Sequence, residues 1–129
     1  VSCAVRRGSK QMSQIGPASL ERVDPPHGFP AEVDVLGQTW RIVYCSNLTT
    51  EHGLYGRTDP AQRLILIDTS QARTMMEDTL WHELLHAALA TSACHDLDDI
   101  IEERVLRTLT PAVLSVLKKT RPWWRRRNV

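Results

Sequence analysis

His82 and His86 stand four positions apart, with Glu83 beside the first, in the run DTLWHELLHAALA from Asp78 to Ala90. On an α-helix, side chains at i and i+4 share a face one turn apart. Two imidazoles placed in this way can bind one metal ion together. Glu83 projects about 100° further round the helix. There a carboxylate can take a proton from a metal-bound water and pass it to a leaving group. Zinc suits this pattern, because it lowers the pKa of its water to about 7 and polarises a carbonyl. The plainer reading is a buried helix with two hydrogen-bonded histidines. The apolar surroundings, Leu80, Trp81, Leu84, Leu85 and Leu89, weigh against it. Burying two imidazoles and a carboxylate without partners is costly.

A catalytic zinc needs a third protein ligand. The longer pattern HExxHxxGxxH is excluded, because Leu89 and Ser92 occupy its glycine and third histidine positions. Cys94, His95, Glu102 and Glu103 are the downstream donors. Glu102 shares a helical stripe with Val105, Leu106 and Leu109, which reads as the inward face. An acid pointing into a core needs a partner, and a metal ion is one. Glu102 is therefore the expected third ligand and Glu103 the alternative. Cys94 and His95 read as polar turn residues. The plain alternative for Glu102 is a first-turn acid stabilised by the helix dipole.

These residues need elements to hold them. Val33 and Val35 alternate with polar neighbours, as do Trp40, Ile42 and Tyr44, which predicts a β-hairpin over 32–36 and 39–45. The glycines and proline of EHGLYGRTDPAQ predict a loop, with a short strand near Leu54 and Tyr55. RLILID predicts a strand over 63–68. Such a strand beside a catalytic helix can also pair with an extended peptide. Thr74 and Glu77 match a capping box, which opens a helix over 75–91. Asp96 is the expected cap of a second helix over 97–110. Pro111 then either kinks that helix or opens a third one, and Pro122 ends it. Strands followed by helices indicate an α+β fold. Residues 1–30 read as an irregular arm, 31–121 as the folded domain and 122–129 as a tail.

With 129 residues the chain suits one domain with a modest core. A net charge of +1 gives no global field that favours nucleic acid. Cys3, Cys45 and Cys94 are odd in number and form no CxxC pair, which argues against a disulfide framework and for a reducing cytosol. No apolar run is long enough to span a bilayer. VSCAVRRGSKQ lacks the apolar segment of a signal peptide. The tail RPWWRRRNV could touch nucleic acid or anionic lipid, but a soluble terminus is the expected role.

The runs GLYGRTDPAQRLILID, DTLWHELLHAAL and EERVLRTLTPAVLSVLK together resemble the small HExxH proteins of phages and prophages. These are similar to ImmA/IrrE-type and SprT-like zinc metallopeptidases. The resemblance covers about residues 33–120. It implies a minimal zincin-like fold: a small, mostly antiparallel sheet packed on the HExxH helix, with one or two helices after it. It also implies zinc held by His82, His86 and an acid at Glu102 or Glu103, with Glu83 as general base and a peptide or protein as substrate. A phage-encoded protein of this kind would act in the cytoplasm of the bacterial host. Leu85 departs from the HExGH form found in some relatives. Two other functions fit parts of the pattern. One is a non-catalytic phage accessory protein that keeps the fold and the zinc. The other is a zinc-dependent RNA endonuclease using an HxxxH helix and His95, against which Glu83 speaks.

Overall fold

The computed structural model describes residues 2–5, 19–92 and 98–120. The elements are β1 (Ser2–Val5), β2 (Arg22–Val23), β3 (Glu32–Val35), β4 (Gln38–Cys45), α1 (Leu48–His52), β5 (Leu54–Asp59), β6 (Leu64–Asp68), α2 (Arg73–Thr91) and α3 (Asp99–Thr120). The architecture is α+β. One sheet runs β1-β5-β6-β4-β2, and β3 also pairs with β4. Three pairings are antiparallel: β2 with β4, β3 with β4, and β5 with β6. Two are parallel: β1 with β5, and β4 with β6.

The expected hairpin forms with Val35 opposite Gln38, so Leu36 and Gly37 make a two-residue turn. Both have positive φ, 50° and 83°. That is the backbone of a type I′ turn, whose twist matches the flanking strands. Leu36 is an uncommon residue for it.

β6 is buried along its whole length. Ile65 and Ile67 join Trp40, Ile42, Tyr44, Met76, Leu80 and Ala87 in one apolar cluster. Leu64 and Leu66 point the other way, toward Leu48 of α1 and Cys45. A strand covered on both faces reads as a continuous apolar run. β5 and β4 occupy its two edges. The expectation that RLILID pairs with a peptide is therefore corrected, because its backbone is already paired on both sides.

Other elements also differ from expectation. α2 starts at Arg73 with Ala72 at the N-cap position, and no side chain caps it, so Thr74 and Glu77 form no capping box there. The entry is instead tied by Gln71, which donates to the carbonyl of Asp68 (2.8 Å) and accepts from Thr79 (3.0 Å). α1 is a short helix where the sequence suggested only a loop. It ends at Gly53, whose φ of 68° suits a left-handed cap. α3 is one helix, with Pro111 inside it. Asp98 caps it, its Oδ1 accepting from the backbone of Ile100 at 2.9 Å. Asp96, the expected cap, lies outside the described residues.

Within the supposed arm, β1 and β2 are strands of the sheet. The proline-rich part is anchored as well. Tyr44 donates its hydroxyl to the carbonyl of Pro30 (2.7 Å), and Phe29 packs edge-on against Tyr44 beneath Arg73. Burial pushes the Tyr44 phenol well above its ordinary pKa. The tail 122–129 lies outside the described residues. No described helix is long and apolar enough to cross a membrane.

Candidate metal centre

Three elements build the site: α2, α3 and β5. α2 lays Met76, Leu80, Glu83 and Ala87 on the sheet, a stripe at the i, i+4, i+7 and i+11 spacing of one helical face. His82 and His86 turn toward α3. Their rings meet edge to face, with centroids 4.8 Å apart.

The two Nε2 atoms lie 3.2 Å from each other. The carboxylate of Glu103 joins them from α3. Its Oε1 is 3.2 Å from His86 Nε2 and 3.4 Å from His82 Nε2. Its Oε2 is 3.1 Å from His82 Nε2. The donor atoms of His82, His86 and Glu103 thus form a near-equilateral triangle and could hold a metal ion.

The outer nitrogens have separate partners. His86 Nδ1 faces Glu102 Oε2 at 2.6 Å, and both side chains are 1% exposed. His82 Nδ1 lies 3.5 Å from Thr110 Oγ1, at the limit of a hydrogen bond. A proton on Nδ1 of His86, donated to Glu102, leaves the Nε2 lone pair directed at the triangle. Arg107 closes the far side, with Nε donating to Glu103 Oε2 at 3.0 Å.

The expected third ligand is therefore corrected. Glu102 is buried as expected, but it sits on the outer nitrogen of His86, and it is Glu103, the alternative, whose carboxylate joins the group that could hold a metal ion. The physical reason is helix phase. The buried stripe of α3 is Glu102, Leu106, Thr110 and Leu114, while Val105 and Leu109 are exposed. That rotation turns Glu103 toward the Nε2 pair. Cys94 and His95 lie outside the described residues.

Glu83 stands apart from the triangle, fully buried against β5. Thr58 Oγ1 contacts its Oε1 at 2.7 Å and its backbone carbonyl at 3.1 Å. Gly56 lies directly beneath. A Cβ there would come within 2.6 Å of Thr79 Cγ2 and 3.0 Å of Glu83 Cγ. Only a residue without a side chain lets α2 approach this closely. Gly56 and Thr58 are thus positioning residues that the sequence reading missed. A glycine inside a strand pattern, two positions before a threonine, was the available signal. Trp81, expected in the core, is half-buried in a cleft with Phe29 and Leu84.

Compared with known proteins, the chain matches no family model, no curated protein and no solved structure.

Proposed function

We propose that this chain is a zinc-dependent metallopeptidase with a minimal zincin-like fold. The observation that carries this reading is the triangle of His82 Nε2, His86 Nε2 and Glu103 Oε1, with edges of 3.2, 3.2 and 3.4 Å. Tetrahedral zinc with bonds of about 2.0–2.2 Å separates its ligand atoms by about 3.3–3.5 Å. Two nitrogens and one carboxylate oxygen are also the donor set of a catalytic zinc with one open position.

Zinc bound there would supply an acidified water and polarise the scissile carbonyl. The rest falls to the chain. Glu102 orients the His86 ring and raises its basicity. Glu83 would serve as the general base beside such a water, holding its proton and returning it to the leaving amine. Thr58 anchors one oxygen of Glu83 and so limits its rotation. The substrate class is a peptide or protein, acted on in the cytosol.

The test is zinc content together with cleavage of a mixed peptide library. Wild type should carry one zinc per chain and cleave. Glu83→Gln should keep the zinc and lose hydrolysis. Cleavage unchanged in Glu83→Gln would sink the mechanism. Zinc without cleavage in the wild type would favour the non-catalytic accessory reading.

A further inference from the structure

The two oxygens of Glu103 are not equivalent. Oε1 faces both imidazoles, 3.2 Å from His86 Nε2 and 3.4 Å from His82 Nε2. Oε2 lies 3.1 Å from His82 Nε2 and accepts at 3.0 Å from Nε of Arg107. Arg107 stands one turn along α3 from Glu103, in the order of acid then base that suits an i,i+4 pair. On an open helix face such a pair contributes little to stability. Here the carboxylate is wedged against two histidines and is 23% exposed, while Arg107 is 59% exposed. The guanidinium is always charged and holds its donors in a fixed plane.

α3 gives each corner of the triangle an outer partner. Glu102 faces His86 Nδ1, Thr110 Oγ1 faces His82 Nδ1, and Arg107 Nε faces Glu103 Oε2. The third partner differs in kind from the other two. The outer nitrogen of an imidazole points away from its metal, but the second oxygen of a carboxylate can join the first on the same ion. A catalytic zinc takes three protein donors and keeps one position open. A second oxygen from Glu103 would crowd that position. A charge-assisted hydrogen bond from Arg107 engages Oε2 instead.

We propose that Arg107 is a positioning residue that makes Glu103 a one-oxygen ligand, with Oε1 toward the metal and Oε2 toward the guanidinium. The fourth position then stays open for water. This rests on the metal centre proposed above. The test uses the full chain, stripped of metal and saturated with Co2+, whose visible absorption is strong in four-coordinate sites and weak at higher coordination. Wild type should bind one cobalt with a strong band. Arg107→Met should bind one cobalt with the band weakened severalfold, because Oε2 is released to the metal. Arg107→Lys, which keeps a cation near Oε2, should retain the strong band. Both variants should keep the wild-type circular dichroism spectrum, since Arg107 is largely exposed. A strong band in Arg107→Met overturns the inference and leaves the metal centre standing. Loss of cobalt from Arg107→Met also overturns it, because Arg107 would then assemble the site rather than select the oxygen. A wild type that takes up no cobalt removes the metal centre itself, and this role of Arg107 with it.

Discussion

Glu102 and His86 meet at 2.6 Å, and both are withdrawn from solvent. Glu103, one residue further on, touches the other nitrogen of the same ring at 3.2 Å. Adjacent acids on α3 thus grip one imidazole from two sides. The first faces the outer nitrogen, and the second faces the Nε2 atom that points into the triangle. The two acids should consequently fail in different ways when changed.

Glu103→Ala removes one corner of the proposed zinc triangle and should abolish stoichiometric zinc binding. Glu102→Gln keeps a hydrogen-bonding group at Nδ1 and should retain one zinc per chain. Its affinity should fall about 10- to 100-fold, the usual cost of disturbing a group that supports a metal ligand. Competition with a chromophoric chelator measures both. Equal losses in the two variants would show that Glu102 is itself a ligand.

Gly56→Ala forces a methyl group into a gap closed by Thr79 and Glu83. Overpacking of this kind costs about 1–3 kcal/mol. Urea denaturation should show a lower midpoint with an unchanged slope. Thr58→Val removes the hydroxyl at Glu83 while keeping the branched shape. It should reduce turnover and leave zinc affinity unchanged. Loss of zinc in Thr58→Val would mean that β5 supports the ligands rather than the base.

Cys45 is fully buried and free. Burial raises its thiol pKa first, and Asp68 adds to the rise, while Arg22 opposes it. The thiol is therefore protonated and inert at neutral pH. Iodoacetamide should modify Cys45 in the denatured chain and leave it intact in the native one, read by mass spectrometry of its peptide. Rapid native labelling would contradict the burial.

Much of this site was legible in advance because it depends on short spacings. The i, i+4 histidines and the adjacent glutamate need only a helix to bring them together, and the apolar run supplies that helix. The strand RLILID was equally clear, since no polar residue interrupts its apolar core. The third ligand was harder. Choosing Glu102 or Glu103 requires the rotation of α3 about its own axis to within one residue. Both faces of α3 carry apolar side chains, so periodicity could not fix that rotation. The parallel pairings and β1 were illegible for another reason. They join residues far apart in the chain, and no local pattern encodes the partner. Gly56 was visible as a residue, but its purpose depends on the helix that packs over it.

The order in which the sheet is wired has a kinetic consequence. β5, β6 and α2 follow one another directly, and β5 pairs with β6 as a hairpin. Gly56, Thr58, His82, Glu83 and His86 all lie within this run. Such short-range contacts close small loops and form early in folding. β1 reaches β5 only by bringing Ser2 against Leu54, a far longer loop whose closure costs more entropy. The β5–β6 hairpin therefore closes the shortest loop of this group and β1 the longest, while the contacts that join α2 to β5 and to α3 span intermediate separations of 25 and 16 residues.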